Sequence, residues 1–184
     1  MRLAAVVLTV TLAAFASTGC TRVPRGVEPV TGFEVERYLG TWYEIARLDH
    51  RFERGLSHVT AEYTLREDGR IDVVNRGYNA EKGEWKEAEG VARFRGDETT
   101  GSLSVTFQWP FRGGYHIIAL DKEDYRWAMV SGPTRSYLWI LARERTLDSA
   151  ITERLTEQAR EAGYPVDDLI WVEQVPPVEE PAGG

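Results

Sequence analysis

The sequence predicts an all-β domain: eight antiparallel strands in sequence order, closed as an up-and-down barrel, with one C-terminal helix packed outside and a short final strand. Three observations carry this. Strand-like runs recur at short, even intervals, over 41–49, 59–66, 70–78, 85–95, 102–109, 114–121, 125–131 and 136–143. Tight turn signals separate several of them, "REDGR", "NAEKGE", "GDETTGS", "FRGG" and "SGPTRS" among them, as expected of neighbours joined by hairpins. A single amphipathic stretch follows the last run. The spacing by itself fits a sandwich or an up-and-down barrel. The strand faces decide between them.

The second, third and fifth runs alternate. Val59, Ala61, Tyr63 and Leu65 share one face, with Thr60, Glu62, Thr64 and Arg66 opposite, and Leu103, Val105, Phe107 and Trp109 oppose Ser102, Ser104, Thr106 and Gln108. Such strands have one wet face. The first, sixth, seventh and eighth do not: "WYEIA", "YHIIAL", "WAMV" and "YLWILA" are apolar on both sides, so both sides must be covered. The available cover is the helix expected from Leu147 to Ala162, where Leu147, Ile151, Leu155, Ala159 and Ala162 form one stripe. Gly163 and Pro165 end it. The helix is therefore placed outside a barrel, over the edge where the last strands meet the first. Residues 169–174 form the short last strand.

The ends of the chain read separately. Met1-Arg2 precedes an uncharged apolar run, Leu3 to Phe15, too short to span a bilayer, and small residues follow. Residues 1–19 read as a secretory signal peptide. Cys20 is the only cysteine, so no intrachain disulfide can form. Thr18-Gly19-Cys20 resembles the lipobox of bacterial lipoproteins, which implies acylation of Cys20; Ser17 departs from the usual Leu, and cleavage after Ala16 is the alternative. Thr21, not Asp, implies sorting to the outer membrane, facing the periplasm. Two acyl signals make such anchoring stable. Residues 20–32 read as a lipidated Pro/Gly-rich tether. Residues 33–175 read as the barrel domain and residues 176–184 as a disordered Pro- and Glu-rich tail.

A net charge of −7 and the lack of a basic stripe weigh against nucleic acid. His50, His58 and His116 form no pair with metal-ligand spacing. His116 points outward by parity, and His50 and His58 are expected to be solvated, with Arg51, Glu53 and Arg54 as a wet loop face. No cofactor is expected. There is no G-x-S-x-G.

In such a meander the start of the first strand and the end of the eighth lie at the same end. Trp42 and Arg143 sit there, both on interior parity. A guanidinium over an indole is favourable by about 0.5–2 kcal/mol, so the pair is expected to close the floor. Glu44 shares the inner parity and needs either a partner or a bend.

At these residues the sequence resembles the lipocalins. Gly40-Thr41-Trp42 matches their G-x-W, Arg143 the arginine that closes the eighth strand, and "LDKEDY" keeps Asp121 and Tyr125 of the middle motif with altered spacing. "YLGTWYEIARLDHRFERGL", "GGYHIIALD" and "YLWILAR" are similar to the bacterial outer-membrane lipoprotein lipocalins, relatives of apolipoprotein D. The resemblance implies binding of fatty acids or lysophospholipids, storage or transport of lipid in membrane maintenance, and, in some members, a homodimer.

A barrel of this size holds one small ligand or fills itself. Interior parity, including Ala46, Gly77, Ala88, Gly90 and Ala92 beside large aromatics, favours a hollow with greasy walls. The expected cavity residues are Tyr63, Phe94, Phe107, Tyr115, Ile117, Trp127, Tyr137 and Trp139, with tyrosine hydroxyls to orient a headgroup. Gly40, Trp42 and Arg143 are expected to act in barrel closure. Phe52, Leu56 and Phe111 belong to the mouth, as a greasy rim for lipid entry, a dimer contact or an inward lid. The leading class is a lipid carrier and not an enzyme. A lipocalin-fold enzyme, with Glu44 as its only candidate acid or base, and a filled structural envelope protein are the alternatives.

Overall fold

The computed structural model describes residues 21–108 and 110–175. The readings for the signal peptide, Cys20, Trp109 and the 176–184 tail fall outside the described residues.

A four-residue helix, α1 (Val35–Tyr38), leads into β1 (Gly40–Arg47), β2 (Leu56–Leu65), β3 (Ile71–Asn79), β4 (Glu84–Phe94), β5 (Ser102–Gln108), β6 (Phe111–Leu120), β7 (Trp127–Ser131) and β8 (Leu138–Ala142). Then come α2 (Ser149–Glu161), a 3-10 turn (Val166–Asp168) and β9 (Ile170–Trp171). Each of β1–β8 pairs antiparallel with its sequence neighbours, and β1 pairs with both β2 and β8, so the sheet is closed. The expected barrel is observed. The short α1 and the 3-10 turn were not legible as periodic patterns.

One seam is incomplete. β1 and β2 pair only from Gly40↔Tyr63 to Tyr43↔Thr60. Beyond that β9 takes the edge of β1, and the Gln174 side-chain amide donates to the carbonyls of Glu44 (2.7 Å) and Val59 (2.9 Å). The buried carbonyls freed by the opened ladder thus find a donor.

The helix lies where the two-faced strands required it. Leu155 and Ala159 are fully buried against Ala46, Met129, Leu138 and Ile140 on the outer wall, with Leu147, Ile151 and Ala162 half-buried at the edges. Asp148 caps its start through Ala150 N (2.8 Å).

At the floor, Trp42 is fully buried and donates from Nε1 to Tyr38 O (2.8 Å). The Arg143 guanidinium lies 4.0 Å from the Trp42 ring centroid and donates to Thr41 O and Arg37 O, each at 2.8 Å. Gly40 has φ +86°, which a side chain resists. Tyr125, also buried, accepts from Glu34 N (3.0 Å) and closes the same end.

Residues 21–32 lie along the barrel wall. Val30 N donates to Ile117 O (2.8 Å) and Gly101 N to Val30 O (2.9 Å). Arg135 donates to Arg25 O (2.8 Å). A Cβ on Gly114 would stand 3.1 Å from Thr21 O. His116 points outward as expected but is fully buried beneath this strap, its Nδ1 3.0 Å from Ser102 Oγ. Burial, with help from the Arg95 charge, lowers its pKa to about 4 against the opposing pull of the Arg22 and Thr21 carbonyls.

Candidate functional site

The lower half of the barrel is solid. Phe33, Tyr38, Trp42, Ile71, Val73, Leu103, Ile117, Leu120 and Val130 pack as one cluster, so the hollow expected from the sequence does not run the length of the tube. Above the floor, Tyr115 Oη hydrogen-bonds to Tyr38 Oη (2.7 Å) and Tyr63 Oη (2.8 Å). Burial raises the pKa of all three phenols, so they stay neutral. Tyr38 was not among the sequence candidates. The available signal was Phe33 and Tyr38, two aromatics bracketing a charged turn just before the G-x-W.

The upper half has two unlike walls. One runs along β3–β6 and is open. Ala92↔Val105 and Val73↔Gly90 set the inward parity, which places Ala88, Gly90, Phe107 and Gly113 on the lumen side. Ala88 is exposed and Phe107 is 47% exposed although both face inward. Phe107 lies over Gly90, where a Cβ would meet its ring at 2.8 Å. Nothing stands within 4 Å of a Cβ built on Gly113. This is apolar wall facing accessible space.

The opposite wall is polar and buried. β1 pairs Glu44↔Leu141 and then Ala46↔Ile140, so Ile45 is an extra residue. A bulge of this kind reverses parity. Ala46, expected inside, turns out beneath α2. Arg47 turns in, opposite Trp139, and is 1% exposed. Its Nη1 donates to Glu44 Oε1 (2.7 Å), and its Nη2 to Glu53 O (2.8 Å) and Leu56 O (3.1 Å). Glu44 therefore has both the partner and the bend its parity demanded. The 49–55 loop folds inward around this guanidinium. Glu53 Oε2 accepts from Trp139 Nε1 (3.2 Å) and lies 3.1 Å from His50 Nε2. His50 is 7% exposed and the Glu53 side chain 13%, so neither is the solvated loop residue the sequence suggested. His58 is also buried, at a bulge in β2 with φ +55°, and contacts Val175 O.

Burial raises the Glu44 pKa well above the carboxylate range, and the Glu53 charge adds to this against the pull of Arg47. For Glu53, burial works upward, yet His50, Trp139 and Glu44 together hold its pKa below the usual value. Glu44 thus holds its proton more tightly than an ordinary carboxyl, and Glu53 less tightly.

The nominated cavity residues separate accordingly. Phe107, Tyr137 and Trp139 border the upper space; Tyr137 stacks on Trp139 at 6.1 Å and 23°. Tyr63 and Tyr115 meet above the floor. Ile117 and Phe94 pack low, Phe94 6.2 Å from Phe33. Trp127 is a correction: it pairs with Ala142 on the outer face and lies under Arg154 of α2 (5.1 Å), because Ala128 and Val130 take the inward positions of β7. At the mouth, Phe52 and Phe111 are 67% and 73% exposed, whereas Leu56 turns inward onto Gly77.

A lipocalin-like domain description matches residues 33–174. The chain is 53% identical over 156 residues to the outer membrane lipoprotein Blc of Vibrio cholerae, covering 85% of this chain and 91% of that protein. It is 51% identical over 176 residues to the protein of the same name from Escherichia coli K12, covering 95% and 98%. Among solved structures, the cockroach allergen Per a 4 superposes with a TM-score of 0.66 at 21% identity, covering 85% of this chain and 96% of that one, a likeness of fold. The chain belongs to the lipocalin family, among its bacterial outer-membrane lipoproteins.

Proposed function

We propose that this protein is an acyl-anchored carrier that holds one fatty acid or lysophospholipid in the upper half of its barrel. Acylated Cys20 ties it to the membrane. The observation that carries the reading is the inward-facing yet accessible wall of Ala88, Phe107 and Gly113 above a closed floor. An apolar surface facing a narrow space is stabilised by an acyl chain. The other wall offers a headgroup a polar contact: Arg47 Nε is a buried donor without a hydrogen-bond acceptor, a condition that favours an incoming anionic oxygen. Glu44 and Glu53 form a carboxyl pair in this wall, held by Arg47, His50 and Trp139. Arg47 binds both Glu44 and the backbone of the 49–55 loop, so the pair is read as holding the loop, and the carrier is favoured over a catalyst.

Trp139 borders the space, so delipidated protein should lose Trp fluorescence on titration with palmitate or a C16–C18 lysophospholipid, saturating at one equivalent. Trp139→Phe should remove most of that change and Trp127→Phe little of it. Saturable binding of none of these lipids would refute the carrier.

A further inference from the structure

We propose that the mouth of the barrel is a membrane-docking face, with Phe52 and Phe111 as its apolar contacts and the N-terminal strap fixing its orientation. The inference rests on the reading of Cys20 as the acylated residue and goes beyond it by assigning which end of the barrel meets the bilayer.

Two independent features point to the same end. The first is where the strap leaves the barrel. β6 runs from the mouth at Phe111 to the floor at Leu120. Thr21 lies against Gly114, in the mouth half of that strand. Arg25 O is held by Arg135, in the β7–β8 loop, which is also at the mouth. Val30 then runs down beside Ile117 and Gly101, and Phe33 enters the floor cluster. Cys20 is one residue from Thr21, within about 3.8 Å of chain. An acyl anchor there starts beside the mouth and cannot reach the floor unless the strap peels off.

The second is the surface itself. Phe52 and Phe111 are the most exposed aromatic side chains among the described residues, and both stand on mouth segments. Each is followed or preceded by an arginine: Arg51 lies 4.8 Å over Phe52, and Arg112 adjoins Phe111. The floor is unlike this. Its segments 34–37, 66–70, 95–100 and 121–126 carry nine carboxylates against six cations, and its only large exposed apolar side chain among the described residues is Leu65, at 37%. Aromatic rings flanked by cations suit the interface of an anionic bilayer, and an acidic end does not. Neither ring need bind strongly alone, since the anchor supplies a high local concentration. Docking there sets the cavity opening at the source of its ligand.

The test uses the full acylated chain in vesicles of phosphatidylethanolamine and phosphatidylglycerol. Acylation blocks Cys20, so Glu81→Cys at the mouth and Glu67→Cys at the floor each take a single fluorophore and lose the same charge. Headgroup spin-labelled lipid should quench the mouth label at least threefold more than the floor label. Combining Phe52→Glu and Phe111→Glu should remove most of that difference, with the thermal midpoint unchanged. Equal quenching at both positions, or stronger quenching at the floor, overturns the proposal. So does an unchanged difference in the double substitution, which would leave the strap alone as the orienting element. Concentration-dependent dimers lost in the double substitution, without mouth quenching, would assign the face to a second copy and overturn it as well. Lipid cargo measured on the same samples reports separately on the carrier reading.

Discussion

Arg47→Ala should destabilise the barrel by about 3–5 kcal/mol, the range for removing one partner of a buried ion pair. Arg47 is 1% exposed and is the cation that touches Glu44, Glu53 O and Leu56 O. Its loss leaves the Glu44 carboxyl and two carbonyls without their donor. The thermal midpoint should fall by roughly 10 °C, given about 2–4 °C per kcal/mol for a chain of this size. Hydrogen exchange of the 49–56 amides should rise beyond the global effect, because that loop is wrapped around the guanidinium. The pH dependence has a definite sign. Glu44 holds its proton to higher pH folded than unfolded, so stability falls as pH rises from the ordinary carboxylate value toward its raised one. Glu53 is held lower, so its contribution is lost as pH falls through its depressed value. Glu44→Gln should abolish the decline on the alkaline side and leave the acid side in place. A decline that persists in Glu44→Gln would show that another group carries it.

Arg143→Ala should cost about 3 kcal/mol. The guanidinium stacks at 4.0 Å on Trp42 and joins two backbone segments through Thr41 O and Arg37 O. The stack contributes about 0.5–2 kcal/mol, and each charged hydrogen bond about 1.5–3 kcal/mol, less what water recovers at this half-exposed position. Arg143→Lys should restore only part, since an ammonium cannot stack and fork at once. Urea unfolding measures the loss. Affinity for lipid, measured well below the unfolding transition, should change less than twofold, because the floor is separated from the upper space by the tyrosine cluster. A large loss of affinity with intact stability would instead make Arg143 a ligand contact.

The fold was legible because its signals are local and repeated. Even strand spacing, alternation and one amphipathic helix specify a covered barrel, and strands apolar on both faces locate the helix. The site was less legible because parity is cumulative. A single extra residue at Ile45 sends Ala46 out and Arg47 in, and no residue type announces it. Glu44 carried the one hint, as a carboxylate on an inward face. Trp127 was misplaced for a related reason: both faces of β7 are apolar, so hydrophobicity cannot say which is the lumen. His50, Glu53 and His58 read as wet because they stand in polar sequence. Their burial comes from a loop folding inward and from the C-terminal segment closing over β2, contacts between residues far apart in the chain. Tyr38 was missed because one helical turn has no period to detect.

The central claim is that the upper barrel is occupied by lipid in the cell. Native mass spectrometry of the acylated protein, extracted in mild detergent, tests it most directly. The account predicts one noncovalent acyl lipid per chain, lost when Ala88→Phe and Gly113→Phe together fill the upper space without lowering the thermal midpoint. A chain that emerges bare, or keeps its lipid with that space filled, would contradict it.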